Sequence, residues 1–175
     1  MNAVVLGIGN PLLGDDGFGV EVARQLKVAR DLDVSDVSND AIWDNVEIVD
    51  GGSQGLYLLP YLQGRSHIIV ADAIAFGGLP GQTIQLNAAD VPARLQIKMS
   101  EHQVGFNEVL ALLQLMGETP TDFVFFGVQP KCNEWAEPMT PEVAAAVAPV
   151  VEQIKAHVKT WRQPHGTDEC SAAAP

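Results

Sequence analysis

Three positions in this sequence carry side chains of the types that bind divalent metal ions. An acidic pair, Asp15-Asp16, follows a glycine-rich stretch, Asp72 ends an apolar run, and His102 precedes a helical pattern. Two carboxylates and one imidazole nitrogen suit a first-row divalent metal that keeps open coordination positions. Asp16, Asp72 and His102 together therefore predict a metal site, and the absence of a cysteine-rich cluster argues against a closed structural zinc site.

Each of these residues also has a structural alternative. Asp15 or Asp16 can cap the following helix and interact with the positive end of its dipole. Asp72 can accept hydrogen bonds from the backbone N–H groups of the Gly77-Gly78 loop, and a histidine before a helix is often a surface or capping residue. Taken singly, the three residues leave both interpretations open.

The elements that would position these residues alternate between short apolar runs and amphipathic helical patterns. We predict strands at residues 3–8, 46–50, 68–72, 83–86 and 123–128, and helices at residues 16–30, 54–62, 103–116 and from 141 onward, with a polar loop at residues 31–45. Strand 83–86 follows its predecessor too closely for a helical crossover, which predicts an antiparallel edge strand. The fold class is therefore α/β, a three-layer sandwich with a mostly parallel twisted sheet of about five strands and helices on both faces.

Parallel strands bring the loops at their carboxyl ends to one edge of the sheet, where ligands usually bind. The predicted strands and helices place Asp16, Asp72 and His102 at that edge. The caps that the sequence offers for the neighbouring helices are Ser53 and Thr140, the latter followed by Pro141 at the first helical position.

Composition narrows the class of protein. The chain has 175 residues, 47% of them hydrophobic and 18% charged, which predicts one globular domain over residues 1–162 and a flexible tail over residues 163–175. Ten basic and 22 acidic residues give a net charge of −12, which argues against a nucleic-acid partner. No apolar run approaches the roughly 18 residues that span a bilayer, so membrane insertion is not expected. The strand-like start and the two cysteines, Cys132 and Cys170, favour the cytoplasm.

Two other chemistries fit less well. Gly7 and Gly9 resemble the start of a dinucleotide-binding loop, but Leu12 stands at the third glycine position and Asp15-Asp16 would repel phosphate. Cys132 with His102 could form a nucleophilic pair, yet no helix begins at the cysteine and Lys131 is the only nearby cation. No Gly-x-Ser-x-Gly elbow is present.

The segments at this edge resemble, in order along the chain, those of the maturation proteases of [NiFe] hydrogenases. The resemblance runs from about Val4 to Trp161. The segments that carry it are residues 7–20 (GIGNPLLGDDGFGV), 50–55 (DGGSQG), 71–73 (ADA), 100–103 (SEHQ) and 127–130 (GVQP).

The resemblance implies an endopeptidase, of metal-dependent or aspartyl type, whose partner is the hydrogenase large-subunit precursor. The enzyme would remove the C-terminal extension of that precursor after nickel has been inserted. The family's metal-binding positions fall on Asp16, Asp72 and His102, where many relatives carry glutamate at the first position. The nickel would be supplied by the precursor. An alternative is a non-cutting assembly factor that checks the nickel site with the same three ligands.

Overall fold

A five-stranded sheet forms the centre of the protein. The computed structural model describes residues 1–33, 42–87 and 109–162. The strands are β1 (Ala3–Ile8), β2 (Val46–Gly52), β3 (His67–Ala73), β4 (Thr83–Asn87) and β5 (Asp122–Val128). Their spatial order is β2-β1-β3-β5-β4. Strands β2, β1, β3 and β5 are parallel, whereas β4 pairs with β5 in the antiparallel direction at the edge.

Helices cover both faces of this sheet. A 3-10 turn (Gly14–Gly17) leads into α1 (Phe18–Asp33), and a second turn (Gly55–Leu58) leads into α2 (Leu59–Leu62). Residues 109–115 are helical, and the last helix is α3 (Pro141–Thr160). None of the helices within the described ranges has both the length and the apolar composition that crossing a bilayer requires.

Alternation along the strands divides the core into two layers. One layer joins Val5, Ile69 and Phe126 to α1 and α3 through side chains such as Phe18, Val22, Val147 and Val150. The other joins Val4, Leu6, Val70 and Phe125 to Leu58, Leu62, Val109 and Leu113. The prediction of a three-layer α/β sandwich with one antiparallel edge strand is confirmed.

The start of α1 lies directly on the backbone of the sheet. A Cβ atom on Gly19 would lie 2.1 Å from the carbonyl oxygen of Ala71 and 2.3 Å from that of Ile8. A Cβ atom on Gly7 would lie 2.0 Å from the carbonyl oxygen of Gly19. Only glycine allows this approach, which brings the first turn of α1 to the carboxyl ends of β1 and β3.

Several predicted boundaries differ from the structure. The first helix begins at Phe18 because residues 14–17 form the 3-10 turn, and it continues to Asp33, into the segment predicted to be a loop. Ile42 and Trp43 were also predicted to lie in that loop. Both are apolar, and both are buried in the core layer that includes α1 and α3. Of the helix predicted at 103–116, residues 103–108 lie outside the described residues.

The two predicted caps are not made. Gln54, not Ser53, occupies the position before the second 3-10 turn, and its side chain makes no capping hydrogen bond. Thr140 does precede α3, but its side chain caps no helical N–H group. The hydroxyl of Thr140 instead donates a hydrogen bond to Asp15.

Candidate active site

Asp16 and Asp72 both lie at the carboxyl edge of the sheet. Asp16 belongs to the Gly14–Gly17 turn that follows β1, and Asp72 is the penultimate residue of β3. The turn contacts β3, so the two residues lie on touching elements. Both are buried, with exposed fractions of 2% and 1%. His102 lies outside the described residues, as do the neighbouring residues of its segment.

The carboxylate of Asp16 is oriented by the loop in front of it. The backbone N–H of Asn10 donates a hydrogen bond to Oδ2 of Asp16 over 2.8 Å. The Asn10 side chain accepts the N–H of Leu12 and thereby shapes the same loop. Gly9, at φ +132°, passes so close that a Cβ there would lie 1.8 Å from the carbonyl oxygen of Asp16. The loop therefore fixes the direction of the Asp16 side chain.

Asp72 has a different partner from the one its structural alternative proposed. Its Oδ1 accepts the N–H of the next residue, Ala73, over 2.7 Å. The N–H groups of Gly77 and Gly78 donate instead to Oε1 of Gln129, at 3.0 and 3.2 Å. Asp72 therefore does not accept hydrogen bonds from the Gly77-Gly78 loop, and this structural alternative is wrong.

Gln129 organises the segment that follows β3, a role that the sequence alone did not indicate. It follows β5, and Phe76 also donates its N–H to the Gln129 side chain. One amide oxygen thus gathers three successive N–H groups of the segment after β3. The sequence places it in the GVQP segment at residues 127–130 but does not indicate this role, because the partner N–H groups lie about 50 positions earlier in the chain.

Asp15 joins the first loop to the segment between β5 and α3. It is fully buried, and Oδ2 accepts the N–H groups of Lys131 and Cys132 at 2.8 and 2.9 Å. Oδ1 accepts the N–H and the hydroxyl of Thr140 at 2.6 and 2.9 Å. The N–H of Asp15 in turn donates to the carbonyl oxygen of Cys132. Asp15 therefore holds a distant segment and does not cap its own helix.

These contacts also explain the protonation state of Asp15. Burial raises the pKa of this carboxyl. The hydrogen bonds from Thr140, Cys132 and Lys131 together lower it by more, so the pKa lies below its ordinary value of 3.8. The ionised carboxylate is the form that accepts all of these hydrogen bonds. The two adjacent acids thus have separate roles, with Asp15 structural and Asp16 at the candidate site.

The alternative nucleophile, Cys132, lies at the same edge. It is a free cysteine of intermediate exposure whose backbone groups bind Asp15. The Lys131 ammonium, the cation next to it, is 2.5 Å from the Glu142 carboxylate. That hydrogen bond raises the pKa of Lys131. The Lys131 ammonium is therefore paired with Glu142.

The structure leaves the three-residue metal set as a prediction. Among residues 1–33, 42–87 and 109–162, no group of three or more His, Cys, Asp or Glu side chains is arranged to hold a metal ion. The third member of the set, His102, falls outside those ranges. Gly51 and Gly52, which end β2, lie beside the first loop, since Gly9 donates its N–H to the carbonyl oxygen of Gly52 over 3.0 Å.

Comparison with known proteins gives the family. The family model described as hydrogenase maturation protease matches residues 20–157. The chain belongs to the hydrogenase maturation protease family. The resemblance drawn from the motifs is therefore confirmed, and the protein is a peptidase that acts in processing a hydrogenase precursor.

Relatives and solved structures of this family cover most of the chain. The hydrogenase 2 maturation protease of Escherichia coli K12 is 37% identical over 160 residues, which are 91% of this chain and 92% of that protein. The hydrogenase expression/formation protein HupD of Rhodobacter capsulatus is 37% identical over 90% of this chain and 71% of its own length. The structure of the hydrogenase maturating endopeptidase HybD from E. coli superimposes with a TM-score of 0.79 and 34% identity, covering 93% of this chain and 94% of that one. These matches favour a hydrogenase maturation protease over a non-cutting assembly factor.

Proposed function

We propose that this protease removes the C-terminal extension of a nickel-loaded [NiFe] hydrogenase large-subunit precursor. The observation that carries the proposal is the placement of Asp16 and Asp72, two buried carboxylates on touching elements at the carboxyl edge of the sheet. Membership in the hydrogenase maturation protease family supports the class of substrate. The cytoplasm is the compartment that the sequence predicts for this reaction.

In this proposal the nickel ion belongs to the substrate, and Asp16, Asp72 and His102 contact it when the precursor docks. Carboxylate oxygens and an imidazole nitrogen are suitable ligands for such an ion. The hydrogen bond from Asn10 holds Asp16 in one orientation before the precursor arrives, so less freedom is lost on binding. A divalent ion at this position can polarise the scissile carbonyl or activate water.

The deciding experiment is cleavage of purified large-subunit precursor, prepared with and without nickel, followed by mass spectrometry. We expect the mass of the extension to be lost from the nickel-loaded precursor and retained by the nickel-free one. Equal cleavage of both forms would contradict the nickel dependence. No cleavage of either form would contradict the proposed substrate and return the protein to the non-cutting alternative.

A further inference from the structure

Two large apolar side chains are exposed next to the candidate site, on loops that are bonded to each other. Leu12, 56% exposed, lies in the loop between β1 and Asp16, and Trp135, 68% exposed, lies between β5 and α3. The N–H of Ala136 donates to the carbonyl oxygen of Leu12 over 2.8 Å. We call these two residues the Leu12–Trp135 patch.

The turn that carries Trp135 is held in a strained conformation. Ala136 has φ +62°, a left-handed backbone that costs a residue with a Cβ about 1–2 kcal/mol. The hydrogen bond from Ala136 to Leu12 maintains it, and the N–H of Glu137 donates to the carbonyl oxygen of Glu134 across the same turn. Such strain persists where the surrounding structure determines it and is frequent at functional sites. Trp135 is therefore presented to solvent from a defined position.

The patch is continuous with the site through Asp15. Asp15 accepts hydrogen bonds from Lys131 and Cys132, four and three residues before Trp135, and it adjoins Asp16 in the chain. The backbone that places the carboxylate of Asp16 is thus bonded to the backbone that places Trp135. A polypeptide lying against the patch would lie beside the candidate site.

The charge around the patch selects a type of partner. Glu134 and Glu137 flank Trp135 and are exposed, and within the described part of the chain neither side chain forms an ion pair. The nearby cation, Lys131, is already paired with Glu142. The whole chain carries a net charge of −12. An apolar segment with lysine or arginine beside it matches this surface in both respects.

We propose that the Leu12–Trp135 patch docks a segment of the precursor polypeptide that bears an apolar side chain next to lysine or arginine. This inference rests on the proposed function, because the precursor is the polypeptide that must approach Asp16 and Asp72. An exposed tryptophan in a defined position is the kind of residue that contributes most of the affinity of an interface. The patch thereby sets which precursor is bound, while the acidic site acts on it.

The main test is the cleavage kinetics of Trp135→Ala with the large-subunit precursor encoded in the same genome. We expect the KM to rise on the order of tenfold with kcat within about twofold, since a docking contact contributes binding and no chemistry. Trp135→Phe should recover most of the loss. Leu115→Ala, which truncates an 84% exposed side chain at the opposite edge of the sheet, is the matched control and should leave the KM unchanged.

A binding measurement separates failure of docking from failure of the proposed function. Trp43 is buried and Trp161 is packed against the core, so acrylamide should quench mainly the Trp135 emission. Addition of the precursor should protect this emission whether or not the precursor is cleaved. If the wild-type protein cleaves but Trp135→Ala has the KM of the Leu115→Ala control, docking at the patch is wrong while the proposed function stands. If cleavage never occurs yet the emission is protected, docking stands and the function fails.

The charge component is tested with Glu134→Gln/Glu137→Gln. This double variant should have a KM several-fold above wild type at low salt, and the difference should disappear at about 0.5 M salt, where such interactions are screened. A KM equal to that of the wild-type protein at low salt would contradict the basic partner segment.

A shift from dimer to monomer in Trp135→Ala, with unchanged KM, would show that the patch binds a second copy instead and overturn the proposal.

Discussion

Two adjacent aspartates have different partners because their side chains leave the same turn in different directions. Asp15 faces the segment before α3 and binds its backbone, whereas Asp16 faces Asn10 in the loop after β1. Both are buried carboxylates, so burial does not distinguish them. Their partners do, and these partners make Asp15 a structural residue and Asp16 a candidate ligand.

We predict that Asp16→Asn, Asp72→Asn and His102→Ala each lower kcat/KM for the precursor by about 100-fold or more, because each removes a proposed ligand of the nickel in the substrate. The asparagine variants keep the side-chain volume, so their circular dichroism and Tm should stay close to those of the wild-type protein. Cys132→Ser is the control and should retain activity. Full activity in any of the first three would return that residue to a structural role, and an inactive Cys132→Ser would revive the thiol mechanism.

For Asp15→Asn we predict a loss of about 3 kcal/mol in the free energy of unfolding at pH 7, measured with urea. An amide NH2 in place of one oxygen faces N–H donors that then lack an acceptor. Asp50→Asn is the control, because within the described part of the chain that exposed carboxylate accepts only the N–H of Gly52, and its loss should cost under about 1 kcal/mol.

The difference in the free energy of unfolding between the wild-type protein and Asp15→Asn should depend on pH. Because the pKa of Asp15 in the folded protein is below its ordinary value of 3.8, its stabilisation is fully present above that value and is lost as the pH falls through the folded pKa. The difference between wild type and Asp15→Asn should therefore shrink below about pH 4. A difference that stayed constant into acid would contradict a charged Asp15.

At the scale of elements, the candidate site depends on how closely α1 approaches the sheet. Gly19 and Gly7 allow backbone to lie on backbone, and the Gly14–Gly17 turn then extends over the end of β3. Any side chain at this contact would push α1 outward and separate Asp16 from Asp72.

Gly19→Ala should consequently lower the free energy of unfolding by about 3 kcal/mol or more, since its Cβ would overlap two carbonyl oxygens that belong to strands. Gly117→Ala is the matched control. It has φ +73° and open space around it, so it should cost only about 1–2 kcal/mol of backbone strain. Urea unfolding of the two variants decides this, and equal losses would show that α1 can shift without strain.

At the scale of the whole molecule, the last helix is anchored at both ends. Its start is tied to Asp15, and near its end the Trp161 indole N–H and the His157 imidazole bind the carboxylate of Asp122 at 2.6 and 2.9 Å. Burial raises the pKa of Asp122, but these two hydrogen bonds and the electrostatic interactions with His157 and His67 together lower it by more. Arg162 donates to backbone carbonyls of Ile42 and Asp44. The chain is therefore held in place as far as residue 162.

Truncation after Arg162 should accordingly leave the Tm within about 2 °C and kcat/KM within about twofold, because the contacts that anchor both ends of α3 lie within the residues that are kept. Differential scanning calorimetry and the cleavage assay measure the two quantities. A large loss of activity at unchanged Tm would show that residues 163–175 take part in docking the precursor, and a large fall in Tm would contradict the predicted domain boundary.

The sequence by itself determined the set of strands and the class of fold. The run at residues 68–71 is short, apolar and rich in β-branched side chains, which is typical of a buried strand, and the short link to residues 83–86 leaves no room for a crossover helix. The order of loops along the chain also placed Asp16 and Asp72 at one edge, because parallel strands all end on the same side.

Only the tertiary structure decided which partners each of the two adjacent acids binds and which loops meet. The hydrogen bonds of Asp15 reach Thr140, 125 positions away, and the role of Gln129 depends on a segment about 50 positions earlier. The meeting of Leu12 with the turn at Trp135 is of the same kind. Local patterns report burial and periodicity, whereas the direction of a side chain from a tight turn and the partner it meets depend on how distant segments pack.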